Sequence, residues 1–418
     1  MILRDSSNVE FEEFLIALTA VGDTTFLESD GERYEFKIPF SRDEIEEALS
    51  EYSPKRLSTD PLSSFGSILF NAVFSGQLGR ELWTRMAEVE RNNRGLRLRI
   101  HSNLERAQHL PWELLYDPSR SDFMSLSGRL ALVRSRPEGF KETPLTPLPR
   151  LRVLVVEADP SGNLSGGEDL ELVNRLVQAH PDRAEIDYLT GATPQVLRER
   201  LRSQKYDIFH FAGVGEVLPT RRPRGGVPQA LRLVGADGLF DRSELGSLLQ
   251  HANVRLAVLN APHSDWIARS LARYIPAALG FRESILERTC LSVSTSLYRL
   301  LFEGLTLELA VTASRQAVDR ALPGTGEWCK LIAYLQQSDG LVLIEPRRDE
   351  QDTWAEPSPP QQANREVYKL RKQLEIYQRN LATLGGSSST PDWDLDPEQT
   401  RALAEKIDKL QEKIRYLA

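Results

Sequence analysis

Two apolar runs in the middle of this chain each stop abruptly at a turn of small residues. One reads Tyr206-Asp207-Ile208-Phe209-His210-Phe211-Ala212-Gly213-Val214-Gly215, the other Val254-Arg255-Leu256-Ala257-Val258-Leu259-Asn260-Ala261-Pro262-His263-Ser264. Runs that are apolar on both parities fit strands covered on both faces, which is how parallel sheets are built. A third such run covers residues 151–157, and Glu185-Ile186-Asp187-Tyr188-Leu189 is a fourth strand. Between them lie helical patterns: one around residues 170–177, and one that Thr193 caps with Pro194 at its first position and Val196, Leu197 and Leu201 as apolar face. Strand-helix alternation predicts a mainly parallel sheet with right-handed crossovers. In such sheets sites lie beyond the carboxyl ends of the strands. His210, Gly213, Val214 and Gly215 on one run, and Asn260, Pro262 and His263 on the other, are therefore the candidate cleft.

The region before residue 150 mixes both periodicities. Tyr34-Glu35-Phe36-Lys37-Ile38 and Leu96-Arg97-Leu98-Arg99-Ile100 alternate as half-buried strands do. Ser41-Arg42-Asp43-Glu44 is a capping box ahead of a helix through Ile45, Leu49 and Tyr52, and Leu78, Leu82 and Met86 recur at helical spacing. Pro111-Trp112-Glu113-Leu114-Leu115 comes next, with Trp112 read as a core aromatic whose indole N–H needs a partner. Leu130-Ala131-Leu132-Val133-Arg134 is another apolar run. The Pro144-Leu145-Thr146-Pro147-Leu148-Pro149 stretch discourages helix and central strand and marks a linker.

In order, the Pro-Trp-Glu-Leu-Leu motif, Arg134 and the two strand ends resemble the CHAT family of caspase-like cysteine peptidases, over residues 10–346. A long helix with Leu300, Leu301, Leu307, Ala310 and Arg315, and a closing strand at Leu341-Val342-Leu343-Ile344, fit the same resemblance. It implies an α/β, caspase-like, mainly parallel sheet flanked by helices, preceded by an N-terminal α+β region. It also implies where catalysis would sit. The family's first strand end usually carries a second His, the general base, where this chain has Val214. Its second strand end usually carries the nucleophilic Cys where this chain has Pro262.

Those two residues cannot do that chemistry. A cysteine peptidase needs a thiolate and an imidazole that generates it and protonates the leaving amine. Valine moves no proton, and proline offers neither a nucleophile nor a backbone N–H for an oxyanion. Proline is also a poor choice for an engineered knockout, so the chain reads as naturally degenerate. The cysteines, Cys290 and Cys329, lie well past the strand end and read as small buried hydrophobes. His210 reads as structural packing, and His263 as a residue of the turn.

Bulk properties set the remaining bounds. With 418 residues the chain can build two or three cores, and a net charge of −8 disfavours general nucleic-acid binding. The Arg221-Arg222-Pro223-Arg224 run reads as an exposed loop. No apolar stretch is long enough to span a membrane, and the first residues carry no signal core. Two cysteines fit a reducing cytoplasm. No metal-ligand spacing, phosphate loop or dinucleotide fingerprint is present, and no cofactor is expected.

Past the sheet the texture changes. Residues 347–363 are rich in Pro and charge and read as an extended linker. Residues 364–418 then carry two heptad seams, Val367, Leu370, Leu374, Tyr377, Leu381 and Leu384, and Leu403, Ile407, Leu410, Ile414 and Leu417. Gly385-Gly386 ends the first helix, and Asp396 with Pro397 starts the second. The pattern predicts an antiparallel hairpin, which alone buries too little apolar surface to be stable and needs something to pack on. The expected organisation is thus 1–149, 150–346, a linker at 347–363 and the hairpin at 364–418.

Two functional readings stay open. One is a non-enzymatic pseudopeptidase that binds a protein partner: an active peptidase, a sensor or a second copy of itself. The resemblance sets it in bacterial stress or anti-phage systems. The other is an active hydrolase with a relocated nucleophile in the same cleft.

Overall fold

The computed structural model describes residues 10–41, 44–45, 61–135, 144–158, 166–217, 229–232, 239–346 and 409. The linker, the heptad seams from Val367 to Leu417, the Arg221–Arg224 run and the helix beyond Ile45 lie outside the described residues. The chain divides into two compact units, Met1–Arg348 and Asp349–Ala418. Every described strand and helix from Phe11 to Leu335 belongs to the first unit.

The chain enters through β1 (Phe11–Val21), β2 (Thr24–Ser29) and β3 (Glu32–Phe36), an antiparallel meander. The capping box forms as expected: Ser41 N–H donates to Glu44 Oε2 at 2.7 Å and Glu44 N–H to Ser41 Oγ at 3.3 Å. Helices α1 (Pro61–Val73) and α2 (Gln77–Arg91) lead to β4 (Gly95–Ser102), which runs parallel to β1. A short α3 (Glu105–His109), a 3-10 turn at Trp112–Leu114 and a small hairpin of β5 (Tyr116–Asp117) and β6 (Asp122–Phe123) precede β7 (Leu130–Ser135), parallel to β4. Trp112 is fully buried, and its indole N–H donates to Ala107 O at 2.8 Å.

The second half supplies β8 (Leu151–Ala158), α4 (Gly166–Gln178), β9 (Ala184–Thr190), α5 (Pro194–Ser203) and β10 (Ile208–Val217). Then come β11 (Gln229–Arg232), β12 (Leu239–Asp241), α6 (Arg242–His251), β13 (Leu256–Asn260), α7 (Asp265–Leu271) and β14 (Ala277–Phe281). The last elements are α8 (Glu287–Phe302), α9 (Leu307–Ala321) and β15 (Leu331–Leu335). Strands β9, β8, β10, β13 and β14 are all parallel, β15 closes antiparallel on β14, and β11 and β12 extend the far end of β10. Tyr334 of β15 pairs with Arg134 of β7, so one sheet runs through both halves, and the break expected at residue 149 falls inside one compact unit.

Alternation along the central strands builds a core on each face. Ile208, Leu256 and Val258 pack beneath α4, α8 and α9, whereas Phe209, Phe211, Ala257 and Leu259 pack beneath α5, α6 and α7. Among the described residues no helix is long and apolar enough to cross a membrane.

Four expectations need correction. The alternating Leu96–Ile100 segment is buried on both faces rather than half-exposed. Its arginines are internal because each finds partners: Arg97 Nε donates to Glu308 Oε1 at 2.9 Å, and Arg99 Nε to Glu13 Oε2 at 2.7 Å. The long C-terminal helix is two helices, broken at Gly304, whose φ of 87° and close approach to Pro346 Cα leave no room for a side chain. The closing strand is β15, and Leu341–Ile344 contributes only the bridge from Ile344 to Leu148. On α5, Leu197 and Leu201 are buried as expected, but Val196 is 42% exposed.

Candidate functional site

Strands β10 and β13 pair in parallel, and their last matched couple is Ala212 opposite Asn260. Val214 and Pro262 each stand two residues further on. The two positions singled out in the sequence are thus at equal offsets past the last matched couple, Pro262 beyond the end of β13 and Val214 still within β10. Beyond that couple β10 continues as a strand, with Val214 paired to Arg232 of β11.

After β13 the chain turns tightly. Ala261 N–H donates to Leu259 O at 2.9 Å, and His263 takes a left-handed φ of 54°. Ser264 fixes the turn to β14: its Oγ donates to Leu259 O and accepts from Phe281 N–H, both at 2.9 Å. Gly280 permits this approach, since a Cβ there would sit 2.7 Å from Ser264 O. His263 N–H donates to Glu283 O at 2.9 Å. The backbone frame of a strand-end site is therefore well braced, with a half-buried Pro262 at its centre.

The histidines are held differently. His210 is fully buried, and its Nδ1 lies 2.9 Å from Tyr298 Oη on α8. Asn260, 5% exposed, donates from Nδ2 to Ser294 Oγ at 2.9 Å. Ser294 and Tyr298 are one helical turn apart, so one face of α8 grips both strands. His263 is exposed. The protein still displaces enough water around it to hold its imidazole below the usual value, which Asp265 opposes and Lys330 reinforces.

Neither cysteine is placed at the strand ends. Cys329 is buried, and burial, with the Glu113 carboxylate adding to it, pushes its thiol up to about 12. Such a thiol stays protonated at neutral pH and is a poor nucleophile. Cys290 is half-buried in the first turn of α8. Among the described residues no group of three or more His, Cys, Asp or Glu is arranged to hold a metal.

Behind the turn lies a buried ionic cluster. Glu113 is fully buried; its Oε1 accepts from Arg134 Nε at 3.0 Å, and its Oε2 accepts from Arg134 Nη2. Burial drives this carboxyl up, but Arg134, helped by Arg315 and Arg282, outweighs it and holds it below the ordinary carboxylate range. Arg282 donates to Gln108 O and His109 O, both at 3.0 Å. Asp265, in the first turn of α7, is pushed up by burial, against the pull of Arg282 and Arg134. These groups tie the Trp112–Leu114 turn to the strand ends. Sequence reasoning found Glu113 and Arg134 within motifs but missed Asp265, Arg282, Ser294 and Tyr298. No signal marked Ser294 and Tyr298 beyond their i, i+4 spacing on an amphipathic helix.

A model of the CHAT domain family matches residues 69–324. Among solved structures, the Arg-specific cysteine proteinase gingipain R is similar at a TM-score of 0.46 and 9% identity, over 83% of this chain and 81% of that one. The complex of Porphyromonas gingivalis RgpB pro- and mature domains gives 0.42 and 8%, over 73% and 77%. The Saccharomyces cerevisiae separase-securin complex gives 0.37 and 14%, over 57% of this chain and only 15% of that chain. No curated protein matches the sequence.

Proposed function

The chain belongs to the CHAT domain family, and from that premise we propose that it is a member that does not cleave peptide bonds and works instead as a scaffold or regulatory component binding another protein. One observation carries the reading: the paired ends of β10 and β13 bear Val214 and Pro262, two residues past the Ala212–Asn260 couple. At neutral pH neither side chain can supply a nucleophile or a base. The high pKa and burial of Cys329 support the same reading. Binding survives the loss of catalysis because a braced cleft and bond cleavage use different groups. The bacterial stress or anti-phage setting and a cytoplasmic location belong to this proposal through the family resemblance alone.

The test is a quantitative pull-down from the native host with light scattering of each bait, comparing the full chain with one ending at Pro346. A specific partner or oligomer seen with both places recognition on the CHAT unit. One seen only with the full chain assigns it to the heptad-bearing tail. A monomer without partners in both forms overturns the scaffold reading.

A further inference from the structure

Helix α8 has a second face. Ser294 and Tyr298 look inward to the sheet, while its outer side forms the floor of a groove of about 640 Å³ walled by α4 and α9. Each of the three helices sends one arginine to it: Arg175 from α4, Arg299 from α8 and Arg320 from α9. All three are exposed, and among the described residues none of their guanidinium groups has an ion-pair or hydrogen-bond partner. Among the described residues that line it, the only carboxylate is Glu171. Three arginines lining one groove, against a single carboxylate among its described residues, leave it with a surplus of positive charge that an anion would offset.

The rest of the lining narrows the class of anion. Ser296, only 5% exposed, adds a hydroxyl at the floor. Leu172 and Leu291 give an apolar patch beside the charges. The volume lies within the range of small-molecule sites. Guanidinium forks match phosphate oxygens in pairs. An extended acidic peptide is disfavoured, because helix walls have their backbone groups already bonded and provide no edge for strand addition. We propose that this groove binds a phosphorylated small molecule of nucleotide size, its phosphates on Arg175, Arg299 and Arg320 and its apolar portion on Leu172 and Leu291. The site is independent of the strand ends and of whether they cleave anything.

The experiment is calorimetric titration of the full chain at low ionic strength with ATP as probe, alongside pyrophosphate and a glutamate-rich peptide. ATP is expected to bind at one site, more tightly than pyrophosphate, with the peptide weaker than both. Arg175→Gln, Arg299→Gln and Arg320→Gln should each weaken ATP by about tenfold, the loss of one charge-assisted contact. Arg202→Gln, at an exposed arginine of α5 outside the groove, should leave ATP binding unchanged. The three arginines are exposed, so the variants are expected to melt with the parent, and melting curves confirm that any loss is local. Absence of binding by both phosphate probes, preference for the peptide, or ATP affinity indifferent to all three groove variants would overturn the proposal.

Discussion

Tyr298 Oη lies 2.9 Å from His210 Nδ1, so the helix on one layer holds the strand that leads to Val214. One turn earlier on the same helix, Ser294 holds Asn260, which leads to Pro262. Both strand ends are therefore aligned by one face of α8, through two hydrogen bonds a single helical turn apart.

His210 is fully buried and held by Tyr298. Tyr298→Phe removes one side of a buried hydrogen bond and should lower stability by about 1–3 kcal/mol. Chemical denaturation measures it, and an unchanged midpoint would show that the contact contributes nothing.

Glu113 should behave as a buried pair member. Glu113→Gln strips Arg134 of its counter-charge at full burial and should cost about 3–5 kcal/mol. The pH dependence has a fixed sign. Because the folded carboxyl sits below its ordinary value of 4.5, its stabilisation is complete above that value and is lost as pH falls through the lower folded one. Acid unfolding of the parent should be steeper than that of the variant, and parallel curves would contradict this.

Cys329 should resist modification. With its thiol pushed up to about 12 and its side chain buried, iodoacetamide should label it only after unfolding. Mass spectrometry of the native protein reads this directly. Rapid native labelling at Cys329 would favour a relocated nucleophile.

The two strand ends also make a gain-of-chemistry prediction. Pro262→Cys alone should give a thiol near the ordinary value of about 8.5, and adding Val214→His should lower it. The pH profile of alkylation reports both. Equal profiles would mean that the two positions do not face one site.

What the sequence disclosed and what it withheld divide along physical lines. Residues 151–157, 206–215 and 254–260 were legible as strands because burial on both faces leaves an apolar run in the chain itself. The caps at Ser41 and Thr193 were legible because their partners are three residues away. Arg97 and Arg99 misled, since alternation of charge reads as exposure unless Glu308 and Glu13 are known to be near. Glu308 is 211 residues from Arg97. The grip of α8 on His210 and Asn260 was illegible for the same reason: the contacts join residues 88 and 34 positions apart. Val214 and Pro262 were legible only against the family pattern, and the register of β10 with β13 ends at Ala212–Asn260, two residues before each.

Whether the strand ends are catalytically silent is decided by incubating the purified full chain with a diverse peptide library, before and after exhaustive thiol alkylation. With Val214 and Pro262 at those ends, no cleavage above the protein-free background is expected in either state. Cleavage that alkylation abolishes would contradict this and locate the nucleophile at Cys290 or Cys329.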